Sequence, residues 1–176
     1  MVLMDMNIEI VKVGFLETNC YILSKDNDYL VIDPGDEFEK IDSHIKGNLV
    51  GIIITHYHFD HIGALDDLVN KYHVNVYDIN NLNEGLNKIG NFEFRVYYTP
   101  GHKSDLISIL FDNYLFSGDF IFESSIGRTD LPTGNFKEMQ DSIRKILKLD
   151  DNIIIYPGHG EETTMKKERN NLNSYL

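Results

Sequence analysis

Within six residues, His56-Tyr57-His58-Phe59-Asp60-His61, the chain carries three imidazoles and a carboxylate. Side chains of these types hold Zn²⁺, Fe or Mn, and no soft thiolate accompanies them. Three later positions share one setting: His102 in Thr99-Pro100-Gly101-His102, Asp119 in Ser117-Gly118-Asp119, and His159 in Pro157-Gly158-His159-Gly160. Glycine beside each lets the backbone turn tightly or approach closely. The inventory is five imidazoles and two carboxylates. That is too many for one tetrahedral ion, which takes about four ligands, and suits two ions sharing a carboxylate. Alternation along an extended stretch would point His56, His58 and Asp60 to one side. His61 would then turn toward a second centre.

Other residues read differently. His44 and His73 have no acidic or histidine neighbours in a loop motif and are expected at the surface. Cys20, followed by Tyr21-Ile22-Leu23, is expected in the core. Asp33 ends Val31-Ile32 and either steadies a ligand imidazole from behind or forms a turn with Pro34-Gly35.

The elements that must position these groups are visible as alternating or β-branched runs. Strands are expected at 8–13, 20–23, 29–32, 50–54, 75–77, 92–98, 104–111, 113–116 and 152–156. The run at 50–54 has the pattern of a strand buried on both faces. Every ligand-type residue follows one of these strands, the place where α/β proteins put their sites. Helices are expected at 62–72 and at 136–149 after an Asn135 N-cap, with weaker signals at 36–45 and 162–171. Strands and helices so mixed suggest a layered α/β sandwich.

Composition sets the bounds. A chain of 176 residues suits one domain. Sixteen Lys and Arg against 28 Asp and Glu leave a formal charge of −12. That charge disfavours nucleic acid and anionic membranes as partners. No apolar run approaches the ~20 residues of a membrane span. The first residues lack a basic segment followed by an apolar one, so no secretory leader is expected. A single cysteine excludes an intrachain disulfide and fits a cytoplasmic protein.

Taken together, His56-Tyr-His58-Phe-Asp60-His61 followed by His102, Asp119 and His159 resembles the metallo-β-lactamase superfamily. The resemblance runs from Thr18-Asn-Cys-Tyr and Val31-Ile-Asp-Pro-Gly35 to the C-terminus. It implies a four-layer αββα sandwich with the metals at one edge between two sheets. It also implies that His56, His58 and His102 hold a first metal, that Asp60, His61 and His159 hold a second, and that Asp119 bridges. Within the superfamily, Gly118-Asp119-Phe-Ile-Phe122 and Ser125-Ile-Gly-Arg128-Thr-Asp130-Leu-Pro-Thr-Gly134 are similar to the glyoxalase II (hydroxyacylglutathione hydrolase)-like enzymes of the short, single-domain type. The tail Glu168-Arg169-Asn-Asn171-Leu-Asn173-Ser-Tyr-Leu176 resembles that family's Glu-x-x-x-Asn-Pro ending, with Ser174 in place of the proline. The helical domain that supplies glutathione contacts in full-length glyoxalase II is not expected here.

The implied activity is hydrolysis of a small-molecule thioester such as S-lactoylglutathione, by a hydroxide made available between two divalent ions, Zn or alternatively Fe or Mn. Asp60 would orient that nucleophile. Arg128 lies where the longer enzymes place a basic substrate contact, and the alternative for it is an ion pair with Asp130. Class B1 β-lactamases carry Cys where Asp119 stands, and flavodiiron proteins carry Glu where His58 stands. The competing readings are a mononuclear iron persulfide dioxygenase and another hydrolase of the superfamily, such as a phosphodiesterase or lactonase. The oligomeric state is open.

Overall fold

Two β-sheets stack face to face, with helices on both outer faces. The structure, a computed structural model, describes residues 6–176. Residues 1–5, part of the segment searched for a leader, lie outside the described residues. The first sheet has five strands in the order β1 (Asn7–Val13), β2 (Thr18–Lys25), β3 (Asp28–Ile32), β4 (Asn48–Ile53) and β5 (Val76–Tyr77). The second has six, drawn from β6 (Gly85–Ile89), β7 (Phe92–Tyr98), β8 (Ile107–Phe111), β9 (Tyr114–Gly118), β12 (Ile154–Pro157) and β13 (Thr163–Thr164), in the order β13-β12-β9-β8-β7-β6. A two-stranded hairpin, β10 (Ile121–Phe122) with β11 (Ser125–Ile126), lies between β9 and the helix that follows.

Three apolar cores make the layers. Leu23, Leu30, Ile32 and Ile53 of the first sheet meet Phe94, Val96, Ile109 and Phe116 of the second, all buried. On the outer face of the first sheet, Ile22, Val31 and Ile52 pack with Ile41 of α1 (Phe38–Asp42) and Leu68 of α2 (Leu65–Tyr72). Beyond the second sheet, Leu115 and Ile155 pack with Met139 and Ile143 of α3 (Phe136–Ile146) and Leu172 of α4 (Met165–Asn173). The expected αββα sandwich is therefore present. Burying each such side chain is worth about 1.5–3 kcal/mol, so all three layers contribute to the fold's stability. Cys20 is fully buried in the outer layer of the first sheet, as expected.

Some local features depart from the sequence expectation. Strand β6 was not anticipated, because Asn87 and Lys88 interrupt its apolar pattern; it pairs antiparallel with β7 across a Gly90-Asn91 turn. The helix expected from Ile62 begins at Leu65, after a single 3₁₀ turn at Phe59–His61. α3 ends at Ile146 rather than Leu149, and its cap is as read: the Asn135 side chain accepts from the backbone N–H groups of Lys137 and Glu138. No helix among the described residues is long and apolar enough to cross a membrane.

Topology decides where strand ends fall. β3 and β4 run parallel, and so do β9 and β12. β7 is antiparallel to β8, which is antiparallel to β9, so β7, β9 and β12 share one direction. The C-terminal ends of these strands gather at one edge of the sandwich. The two sheets are stitched there by Ile107 N–H to the Thr55 carbonyl (2.9 Å) and Asn19 N–H to the Gly158 carbonyl (2.8 Å).

Candidate metal centre

Each ligand-type residue stands just past one of those strand ends. Asp33 follows β3, His56 to His61 follow β4, His102 follows β7, Asp119 follows β9 and His159 follows β12. The chain stays extended through His58 (φ −81°, ψ 148°) and then closes into the 3₁₀ turn. Alternation therefore holds for His56 and His58 and fails at Asp60. The turn swings Asp60 away from them, so the expectation that all three share a side is corrected.

Two groups of donor atoms result. In the first, His58 Nδ1 lies 3.2 Å from His56 Nε2 and 3.0 Å from His102 Nε2. Asp119 Oδ2 is 3.8 Å from His56 Nε2 and 3.6 Å from His102 Nε2. In the second, Asp60 Oδ2 lies 3.1 Å from His159 Nε2 and 3.5 Å from His61 Nε2. Asp119 faces this group too, with Oδ1 at 3.3 Å from His61 Nε2 and Oδ2 at 3.6 Å from His159 Nε2. Corners of a tetrahedron whose centre lies about 2.0–2.1 Å from each are about 3.3 Å apart, so both groups have the spacing of a coordination shell. The geometry also fits a cation on another ground. His61 Nε2 and Asp119 Oδ1 are both buried, face each other at 3.3 Å and have no other hydrogen-bond partner, an arrangement that a cation between them would complete.

The outward ring nitrogens are tied down, which fixes the tautomers. His61 Nδ1–H donates to Asp33 Oδ2 at 2.8 Å, His102 Nδ1–H to the Arg128 carbonyl at 2.8 Å, and His159 Nδ1–H to the Leu16 carbonyl at 3.0 Å. The Thr55 hydroxyl donates to Asp33 Oδ2 at 2.6 Å, leaving its oxygen to accept from His56 Nδ1–H at 3.0 Å. A neutral imidazole that donates through Nδ1 presents a lone pair at Nε2, which in all four rings faces the donor groups. His58 is the exception and presents Nδ1. Asp33 also accepts the Thr55 backbone N–H through Oδ1 at 2.8 Å.

Charge is distributed unevenly between the groups. Burial, reinforced by the neighbouring His61, pushes the His56 pKa well below the usual imidazole value. Burial and the neighbouring His102 lower His58 as well. In the second group burial opposes the charged forms, but the carboxylates win. Asp33 and Asp119 hold His61 up at about 10, and Asp119 and Asp60 hold His159 up at about 9. Against its own burial, Asp60 is brought down to about 2 by His159, His61 and the Thr18 hydroxyl.

The remaining residues fall as follows. Arg128 is exposed, and its guanidinium makes a two-pronged pair with Asp130 at 2.7 Å per contact; it reaches the donor groups through its carbonyl. His44 pairs with Glu9 at 2.7 Å, and His73 closes α2 with φ 51°, both away from the cluster. Thr18, Thr55 and the Leu16 carbonyl were not anticipated, since nothing in their local sequence signals a partner 22–143 positions away or a relay through a hydroxyl. Gly158 is forced by space: a Cβ there would stand 2.2 Å from Asp119 Oδ1 and 2.8 Å from His61 Cε1. At Gly118 both the backbone (φ +52°) and Thr55 Oγ1, 2.6 Å from a would-be Cβ, exclude a side chain.

Comparison with known proteins agrees with this geometry. Residues 13–80 and 74–159 match the sequence model of the metallo-beta-lactamase superfamily. The chain belongs to that superfamily. It is 31% identical to the hydroxyacylglutathione hydrolase GloC of Haemophilus influenzae, over 93% of this chain and 95% of that one. Among solved structures it is similar to the BLEG-1 B3 metallo-beta-lactamase, with a TM-score of 0.89 and 31% identity over 93% of this chain and 97% of that one. It is also similar to TTHA1623 in a di-iron-bound form, with a TM-score of 0.83 and 29% identity over 92% of this chain and 96% of that one. As a metallo-beta-lactamase superfamily member with His/Asp clusters of the metal-binding kind, it is a metal-dependent hydrolase.

Proposed function

We propose that the protein is a dinuclear hydrolase of small-molecule thioesters. His56, His58 and His102 hold one divalent cation, Asp60, His61 and His159 hold another, and Asp119 joins them. The observation that carries this reading is Asp119, whose carboxylate lies within 3.8 Å of ligand nitrogens from both groups. Five imidazoles and two carboxylates suit Zn²⁺, with Fe or Mn as alternatives. The likeness to GloC and to a di-iron structure supports the dinuclear hydrolase.

Bound divalent cations supply Lewis acidity toward an acyl carbonyl and make water acidic enough to attack at neutral pH. The chain's own residues do the positioning. Asp60, steadied by the Thr18 hydroxyl at 3.0 Å, accepts a hydrogen bond from the attacking water and aims it. The outward bonds of His56, His61, His102 and His159 keep the rings from turning as charge develops. Asp33 steadies His61 directly and His56 through Thr55. Arg128 meets a substrate carboxylate by exchanging its exposed pair with Asp130, since such surface pairs cost little to break.

The test is thiol release from a panel of thioesters that includes S-lactoylglutathione, with metal-replete protein and with oxygen monitored. Turnover without oxygen uptake is expected. No turnover on any thioester, or oxygen consumption with glutathione persulfide, would overturn the proposal.

A further inference from the structure

Among the described residues, large apolar side chains are exposed at only a few places, and three of them gather at one. Phe15 is 98% exposed, Phe59 76% and Leu16 46%. With Val13 and Thr18 they line a cavity of about 300 Å³ that also includes Asp60. That volume is at the small end for ligand pockets. Exposed aromatic rings grouped around a cavity mark a binding surface more often than chance packing.

The cavity is joined to the metal centre on two sides. Thr18, in its wall, donates to Asp60 Oδ2, and the Leu16 carbonyl accepts from His159 Nδ1–H. The turn that carries Phe15 and Leu16 is itself held in place. Glu17 N–H closes it onto the Gly14 carbonyl at 3.2 Å, and Gly14 N–H donates to Glu37 Oε2 at 2.9 Å. The backbone of this wall is thus set before the ligand arrives, and what binding has to order is the exposed Phe15 and Phe59 rings.

The two ends of the centre differ in charge. Among the described residues, the only charged ones lining the cavity are Asp36 and Asp60, both acids, so a substrate carboxylate is unwelcome there. At the other group the two nearby cations are already paired: Lys103, next to His102 in sequence, with Asp105 at 2.9 Å, and Arg128, whose carbonyl accepts from His102, with Asp130 at 2.7 Å. A charged carrier therefore binds there by exchanging a surface pair. A thioester has one end that is an acyl group and another that is a thiol carrier, commonly polar and charged. The carrier fits the His102 end and the acyl group fits the Asp60 end.

We propose that the cavity between Phe15, Leu16 and Phe59 takes the acyl chain of the substrate and selects unbranched apolar acyl groups over small polar ones. This rests on the thioester reading above and names the substrate class within it. A lactoyl group, with its hydroxyl, fills the cavity poorly, and a chain of several methylenes fills it well.

The experiment measures kcat/KM for the metal-loaded full chain on acetyl, butanoyl and hexanoyl thioesters of one fixed thiol. A second series lengthens the thiol while the acyl group stays acetyl. We expect a rise of about threefold per methylene in the acyl series, short of the full value for complete burial, and little change in the thiol series. In Phe15→Ala/Leu16→Ala the acyl slope should flatten to under about 1.5-fold per methylene. Leu86→Ala, exposed on β6, serves as the control and should keep the wild-type slope. A flat wild-type acyl slope, a slope confined to the thiol series, or a slope unchanged in the double variant would overturn the proposal. Binding is read separately by NMR with a ketone in which methylene replaces the sulfur of the hexanoyl thioester. Shifts at Phe15, Leu16 and Phe59 support the pocket even if no thioester is cleaved, in which case the hydrolase reading alone fails. Absence of shifts there overturns the pocket whatever the turnover.

Discussion

Asp33 Oδ2 lies 2.8 Å from His61 Nδ1, with both side chains buried. The same oxygen receives the Thr55 hydroxyl, which in turn accepts from His56. One carboxylate behind the donor atoms thus sets ring orientation in both groups at once. Asp33 adopts φ 52°, a left-handed conformation that aspartate tolerates better than most residues, and its carboxylate bonds to Thr55 just past β4.

Asp33→Asn should weaken metal binding by about 10–100-fold. The amide offers one oxygen where Thr55 N–H, Thr55 O–H and His61 Nδ1–H converge on two. Competition against a chromophoric chelator measures this, and unchanged affinity would remove Asp33 from the positioning role.

His58→Ala and Asp119→Ala should each lower thioester turnover by more than about a hundredfold, beyond the loss of an outer partner. They differ in metal content. His58→Ala removes a donor from one group and should leave the other occupied, whereas Asp119→Ala weakens both. Elemental analysis of the two variants side by side distinguishes them, and wild-type content in either would disprove the assignment.

Gly158→Ala tests the packing around Asp119. The new methyl would stand 2.2 Å from Asp119 Oδ1, so either the carboxylate or the Pro157–His159 turn must move. Overpacking of this kind costs about 1–3 kcal/mol. Loss of metal at a melting temperature only a few degrees lower is the expected pattern; an unaltered metal content would show that the turn gives way without disturbing the site.

How much of this was legible depended on distance along the chain. His56 to His61 sit on one loop, and the three later ligand positions each follow a β-branched or apolar run with glycine adjacent. Short-range pattern therefore picked out all seven side chains that the structure brings together. What it could not supply was the 3₁₀ turn at Phe59–His61, which breaks alternation and sends Asp60 to the group of His61 and His159. Nor could it supply Thr18 or the Leu16 carbonyl, whose roles arise only when the β1–β2 turn meets Asp60 and the Gly158-His159 segment. Strand β6 was missed because an edge strand with one solvated face tolerates Asn87 and Lys88, although Gly90-Asn91 was a turn signal at its end.

The raised imidazoles give a pH dependence. In the metal-free protein His61, at about 10, and His159, at about 9, lie above the ordinary 6.5. Their protonated forms therefore stabilise the metal-free fold fully below pH 6.5, and that contribution is lost as pH rises through 9 to 10. Metal ligation needs both lone pairs, so loading at pH 7 should expel protons, and metal affinity should fall as pH falls. Calorimetric titration in buffers of different ionisation enthalpy counts those protons. Metal uptake with no proton release would contradict the charge states given to the two rings.

The central claim is that two donor groups joined by Asp119 hold two cations. Elemental analysis of protein purified without added metal, followed by titration of the stripped chain to saturation, tests it most directly. Two equivalents per chain are expected, with the second equivalent lost when His159 is replaced by alanine. Saturation at a single equivalent, or a second equivalent unaffected by that replacement, would contradict it.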